Sequence, residues 1–64
     1  MVNVGKNIKR FRRECGLTQA EIAKKLGVTT QAVSKWETQM NSPDIALIPR
    51  IAQVLGVSID ELFG

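Results

Sequence analysis

Apolar residues recur along this chain at helical spacing, and nowhere do they hold the period of two that marks a strand. Val4, Ile8, Phe11 and Cys15 form one stripe, Ile22, Ala23 and Leu26 a second, Val33 and Trp36 a third, and Ile48, Ile51, Ala52 and Leu55 a fourth. Between the stripes one grammar of helix initiation repeats. Leu17-Thr18 is followed by Ile22, Val28-Thr29 by Val33, and Val57-Ser58 by Leu62, so that an apolar pair brackets each hydroxyl residue. The hydroxyl accepts a hydrogen bond from an orphan N–H of the first turn, and the apolar pair closes over it as a hydrophobic staple. Glu21 and Glu61 complete capping boxes with Thr18 and Ser58. The stops are equally legible. Gly16, Gly27 and Gly56 each follow a periodic stretch, where a left-handed residue ends a helix without a Cβ penalty.

These signals predict helices over about 4–15, 19–26, 30–37, 49–55 and 59–63. Pro49 lacks an N–H and is therefore placed at the first position of the fourth helix, with residues 44–48 forming a separate turn led in by Ser42-Pro43. No Asn-Gly or Asp-Gly hairpin turn, internal repeat or low-complexity segment interrupts the pattern. A chain of 64 residues buries only about 60% of its unfolded surface, which leaves no material for a second core. The expectation is one all-α domain over residues 1–64, a compact five-helix bundle.

Composition narrows the class further. At 44% apolar and 23% charged residues the chain is too apolar for a disordered tail, and no apolar run approaches the length a bilayer requires. The opening Met1-Val2-Asn3-Val4-Gly5-Lys6 lacks the marks of a signal or transit peptide, so a cytoplasmic location is expected. Cys15 is the only cysteine and histidine is absent, which excludes an internal disulfide and leaves too few ligands for zinc; no metal or other cofactor is expected. Cys15 and Trp36 both read as buried core residues. Charge is lopsided: residues 1–35 hold eight bases and two acids (+6), while residues 36–64 hold one base and four acids (−3). One end of the molecule is a cation presented to something negative.

The second and third helices are separated only by Gly27-Val28-Thr29, a linker too short for antiparallel packing, so the pair must cross at a wide angle. Ala23, four residues before Gly27, faces the turn where a larger side chain would push the helices apart, and Val33 follows six residues after it. The set from Gln19 to Thr38 is a helix-turn-helix pattern. Together with Gly16-Leu17-Thr18-Gln19, Val33-Ser34-Lys35-Trp36-Glu37 and the run Leu55-Gly56-Val57-Ser58-Ile59-Asp60-Glu61-Leu62, it resembles the phage repressor and Cro (XRE-like) family of helix-turn-helix domains over nearly the whole chain. That resemblance implies a lambda-repressor-like domain that binds double-stranded DNA as a transcriptional regulator, of the repressor type. It also implies that the third helix enters the major groove, as one half of a homodimer on a palindromic operator.

Helical geometry independently divides the third helix. Ala32, Val33 and Trp36 share one face, leaving Thr30, Gln31, Ser34 and Lys35 on the other as candidates for base contact. Glutamine can pair with adenine, lysine can donate to guanine, and a threonine methyl can meet the thymine methyl. A merely solvated polar face is the bland alternative, and the short turn and basic flank favour base reading. Gln19 opens the second helix, where its amide and the free N–H groups can hold a phosphate, a role the resemblance also gives it. Thr18 and Thr29, which open the two helices, and Thr38 and Asn41, beyond the third, complete the expected phosphate contacts.

Lys6, Lys9, Arg10 and Arg13 cluster opposite the apolar stripe of the first helix, either to solubilise it or to meet flanking phosphates. Arg12 differs in lying at the edge of that stripe, where it needs a partner. Glu37 is the candidate, forming a structural ion pair that the family commonly carries. The family usually places a glycine soon after this glutamate, whereas Thr38-Gln39-Met40-Asn41 follows here, which forces Gln39 toward a left-handed conformation. An enzyme is disfavoured, with no histidine, glycine-rich phosphate loop or paired carboxylates on one face. The rival reading is a protein-interaction or dimerisation module of a larger regulator or antitoxin, docking through Leu62 and Phe63, which are also the expected dimer interface.

Overall fold

The computed structural model describes residues 3–64. Five helices follow in order, α1 (Val4–Glu14), α2 (Gln19–Leu26), α3 (Thr30–Glu37), α4 (Ile48–Leu55) and α5 (Ile59–Phe63), with one 3₁₀ turn (Ile45–Leu47) running into α4. No strand occurs among the described residues. The local start signals operate as physical devices. Thr18 Oγ1 accepts from Glu21 N at 3.1 Å while Glu21 Oε1 accepts from Thr18 N at 2.9 Å, and Ser58 with Glu61 repeats the box at 3.0 and 2.9 Å. Thr29 Oγ1 accepts from Ala32 N, opening α3.

Gly16, Gly27 and Gly56 all adopt positive φ at the ends of α1, α2 and α4. Gln39 does the same with φ 63° after α3, where Gln39 N donates to Trp36 O and Met40 N to Lys35 O. This is the hydrogen-bond pattern that usually recruits glycine. A side chain in that region costs about 1–2 kcal/mol, offset in part by the about 0.5–1 kcal/mol of extra freedom that glycine loses on folding. Gln39→Gly is therefore expected to stabilise the fold by up to about 1 kcal/mol; a melting temperature below the parent's would refute the strain.

Three expectations require correction. The first helix ends at Glu14, and Cys15 is exposed rather than part of the core, its Sγ lying 3.4 Å from the Leu55 carbonyl. Cys15 is the C-cap of α1, still in right-handed conformation with its N–H donating to the Phe11 carbonyl, and the chain turns left-handed at Gly16 directly after it. The fourth helix begins at Ile48, so Pro49 is its second residue. Asp44 caps the preceding 3₁₀ turn by accepting from Ala46 N at 3.0 Å, and the missing N–H of Pro49 still falls among the orphan donors of the first turn. Leu62, finally, is fully buried. Its place in α5 turns it onto the common core, so it is unavailable to a partner.

One core unites the helices: Ile8 and Phe11 of α1, Ile22, Ala23 and Leu26 of α2, Val33 and Trp36 of α3, Ile48, Ile51, Ala52 and Leu55 of α4, and Leu62. The closest approach is between backbones. Gly5 of α1 lies against the last turn of α3, where a built Cβ would stand 1.7 Å from the Trp36 carbonyl oxygen. A second tie joins the chain ends, because Asn7 Nδ2 donates to the Leu62 carbonyl at 2.7 Å and satisfies an acceptor near the end of α5. Helix α1 is thus tied to both α3 and α5.

Candidate nucleic-acid interface

The division of faces along α3 decides what it can touch. Val33 and Trp36 are buried and Ala32 is half-buried against the core, while Thr30, Gln31 and Lys35 are exposed and Ser34 is half-buried. Three polar side chains of different hydrogen-bonding character thus project along one side of an eight-residue helix, α3. Ser34 sits lower, at the margin of the packed face.

Helix α3 is clamped at its far end. Arg12 Nε donates to Glu37 Oε2 at 2.7 Å and Nη2 to Oε1 at 3.0 Å, a two-pronged pair in which both residues are buried. Arg12 Nη1 also donates to the Leu17 carbonyl at 2.8 Å, just after α1. Burial alone would push the Glu37 carboxyl up, but hydrogen bonds from Arg12 and Gln19 and the charges of Arg12 and Lys9 outweigh it and hold the group below its ordinary value. The Arg12 guanidinium is held above its own, chiefly by its hydrogen bond to Glu37. Both shifts favour the charged pair.

Gln19 belongs to this network, a connection that spacing alone does not reveal. Its Nε2 donates to Glu37 Oε1 at 3.0 Å, so the amide at the start of α2 is oriented by the residue that ends α3. One N–H of that amide remains for another acceptor. Thr18 and Thr29 are exposed, and their hydroxyl oxygens accept cap bonds, which leaves each hydroxyl proton free to donate outward. Thr38 differs. Its hydroxyl donates to the Ser34 carbonyl at 3.0 Å, so its single proton is spent within the helix and it is not poised to meet a phosphate. Asn41 is exposed and lines a groove on the other side of the loop, beside Trp36 and Pro43.

Lys6, Lys9, Arg10 and Arg13 line a shallow groove of about 540 Å³ that also meets Glu37 and Gln39. Arg10 is partly neutralised there, with Glu14 at 3.6 Å, and its guanidinium carbon stands 4.5 Å from the Phe11 ring centroid. The other cations of that groove, Lys6, Lys9 and Arg13, lie beside Glu37 and Gln39 at the end of α3.

Residues 8–62 match the helix-turn-helix family model, which spans the two capped helices, the turn and the stabilising helices around them. The chain belongs to the Cro/C1-type helix-turn-helix family. It is similar to the uncharacterized HTH-type transcriptional regulator y4dJ of Sinorhizobium fredii, 42% identical over 59 residues, covering 92% of this chain and 77% of that protein. Its fold is similar to that of SinR, a master regulator for biofilm formation crystallised in complex with DNA, with a TM-score of 0.86 and 32% identity over 95% of this chain and 98% of that one. It is similar as well to hydroxypropylphosphonic acid epoxidase from S. wedmorenis, with a TM-score of 0.87 and 30% identity, but over only 34% of the enzyme's chain. That likeness shows the Cro/C1-type fold carried within a larger protein and lends no catalytic group to this one.

Proposed function

We propose that this transcriptional regulator reads double-stranded DNA through the exposed side of α3, with Thr30, Gln31 and Lys35 against base edges and Ser34 beside them. The single observation that carries the reading is the placement of those side chains on a short helix whose other side is locked by Val33, Trp36 and the Arg12–Glu37 pair. A rigid rod with polar groups of fixed height is what direct readout of the major groove requires. Gln19, pre-oriented by Glu37, and the outward hydroxyls of Thr18 and Thr29 supply phosphate contacts on the flank, with Asn41 as a further donor. Bound in this way the domain acts as a repressor by occupying its site. Two copies on a palindromic operator would place their α3 helices about 34–36 Å apart, one duplex turn.

Selection from a pool of random duplexes tests this directly. A preferred sequence is expected, with affinity falling steeply as salt rises because phosphate contacts release counterions. Gln31→Ala and Lys35→Ala should each lose about 1–3 kcal/mol on the selected duplex and relax preference at the positions they contact. Selection that returns no sequence at low salt, or an unaltered preference in both variants, would defeat the proposal. Binding that ignores salt would favour an interaction module instead.

A further inference from the structure

We infer that α1 carries a second DNA contact, in which Lys9 and Arg13, with Lys6 beyond them, hold phosphates of the strand that Gln19 engages, outside the stretch read by α3. The inference rests on the reading of α3 given above. The three side chains are exposed and form one row along α1, about 10 Å long at ~1.5 Å per residue. Among the described residues the ion pairs are Arg10–Glu14 and Arg12–Glu37, which leaves the row without a carboxylate partner of its own. Like charges at helical spacing repel one another, and a polyanion alongside relieves that repulsion.

Two observations set this row against a phosphate strand rather than open solvent. The first is the place of α1. Thr30 and Glu37 lie two helical turns apart on one edge of α3; Thr30 belongs to the side turned to the bases, and Glu37 holds Arg12 of α1. Helix α1 therefore packs along a side of α3. A helix with its side chains is about 10–12 Å across and fills a major groove about 12 Å wide, so an element packed at its side stands over the phosphate wall. The second observation is a shared carboxylate. Gln19 donates to Glu37 Oε1 at 3.0 Å, and Lys9 is near enough for its charge to help keep that carboxyl ionised. Lys9, Arg13 and Lys6 line the groove that reaches Glu37. A strand that accepts from the free N–H of Gln19 thus passes Lys9, and the rest of the row follows along α1. An acidic protein segment would meet the same charges, but only a DNA strand also accounts for their place beside Gln19 and α3.

The test measures binding of the whole chain to its selected duplex as salt is varied. Each phosphate contact contributes about 0.9 to the slope of log affinity on log salt, or about three- to fourfold between about 50 and 200 mM. Lys9→Gln and Arg13→Gln should each lower the slope by about that amount while leaving the preferred sequence unchanged. Lys9→Arg, which keeps the charge, should retain the parent's slope. Arg50→Gln is the control for net charge, since Arg50 donates to the Lys25 carbonyl at the end of α2 remote from Gln19, and its slope should match the parent's. A second arm replaces single phosphates by uncharged methylphosphonates. Positions adjoining the one sensed by Gln19→Ala should weaken the parent and leave Lys9→Gln unaffected. A parental slope in Lys9→Gln and Arg13→Gln would overturn the inference and leave the row to solvent or an acidic protein. Equal slope losses in Arg50→Gln, or equal methylphosphonate effects on parent and Lys9→Gln, would overturn it too. Failure of the underlying reading looks different: Gln31→Ala would then leave the preferred sequence unaltered, whatever the α1 variants do to the slope.

Discussion

Gly5→Ala is expected to lower the stability of this domain by about 2–3 kcal/mol, a large share of the total that about 0.05–0.15 kcal/mol per residue allows a chain of 64 residues. Helix propensity argues the other way, since alanine within a helix is favoured over glycine by about 1 kcal/mol. Geometry overrides that gain. The new methyl would stand 1.7 Å from the Trp36 carbonyl oxygen, which is backbone and cannot swing aside as a side chain would. Helix α1 would have to lift from α3, loosening Ile8 and Phe11 in the core and stretching the Arg12–Glu37 pair. A fall of about 10–20 °C in the melting temperature follows, at about 4–8 °C per kcal/mol for a domain of this size. Gly27→Ala is the informative control, because nothing lies within 4 Å of its built Cβ and only its positive φ resists the change. Equal melting of Gly5→Ala and the parent would show that α1 is not seated in this way.

Glu37→Ala is expected to cost about 3 kcal/mol at neutral pH, because it leaves the buried Arg12 guanidinium with only the Leu17 carbonyl. The effect on DNA should be separable. Gln19 loses the acceptor that orients it, so affinity should fall even at temperatures where the variant remains folded. Acid offers a second readout of the same group. The folded carboxyl of Glu37 is held below its ordinary value of 4.5, so its stabilising contribution is fully present above that pH and is lost as pH falls through the lower folded value. Urea unfolding of the wild-type chain should thus weaken below pH 4.5, and Glu37→Gln should show a shallower decline in that window. Some slope will persist in the variant, since Glu21 is also held low, chiefly by the N–H of Thr18. An unchanged acid slope in Glu37→Gln would remove the pair as the source.

The helices α2, α3 and α5 fall over 19–26, 30–37 and 59–63 as their caps predict, and α3's outward side is the one the spacing assigns. The misplacements come from signals that are ambiguous by a residue or by a face. Periodicity at Cys15 does not say where a stripe leaves the helix, the missing N–H of Pro49 fits either of the first two helical positions, and the apolar character of Leu62 does not say whether it faces inward or outward. Gly5 does carry a signal in the sequence: a glycine inside an amphipathic helix points to a close approach by another backbone. The tie from Gln19 to Glu37 left none, since its two ends are 18 residues apart.

The starts of α2, α3 and α5, the left-handed turns that end α1, α2 and α4, and the sides of α3 were settled by the residues themselves, because a cap, a left-handed glycine and a staple each act within about five positions of chain. Tertiary packing alone decided that Gly5 touches Trp36, that Gln19 is aimed by Glu37, that Leu62 is inside, and that Ile45 and Phe63 flank an uncharged groove. Those outcomes depend on how far apart the helix axes settle and at what angle they cross. Distance and angle are properties of all the packed side chains together, so no local window of sequence contains them.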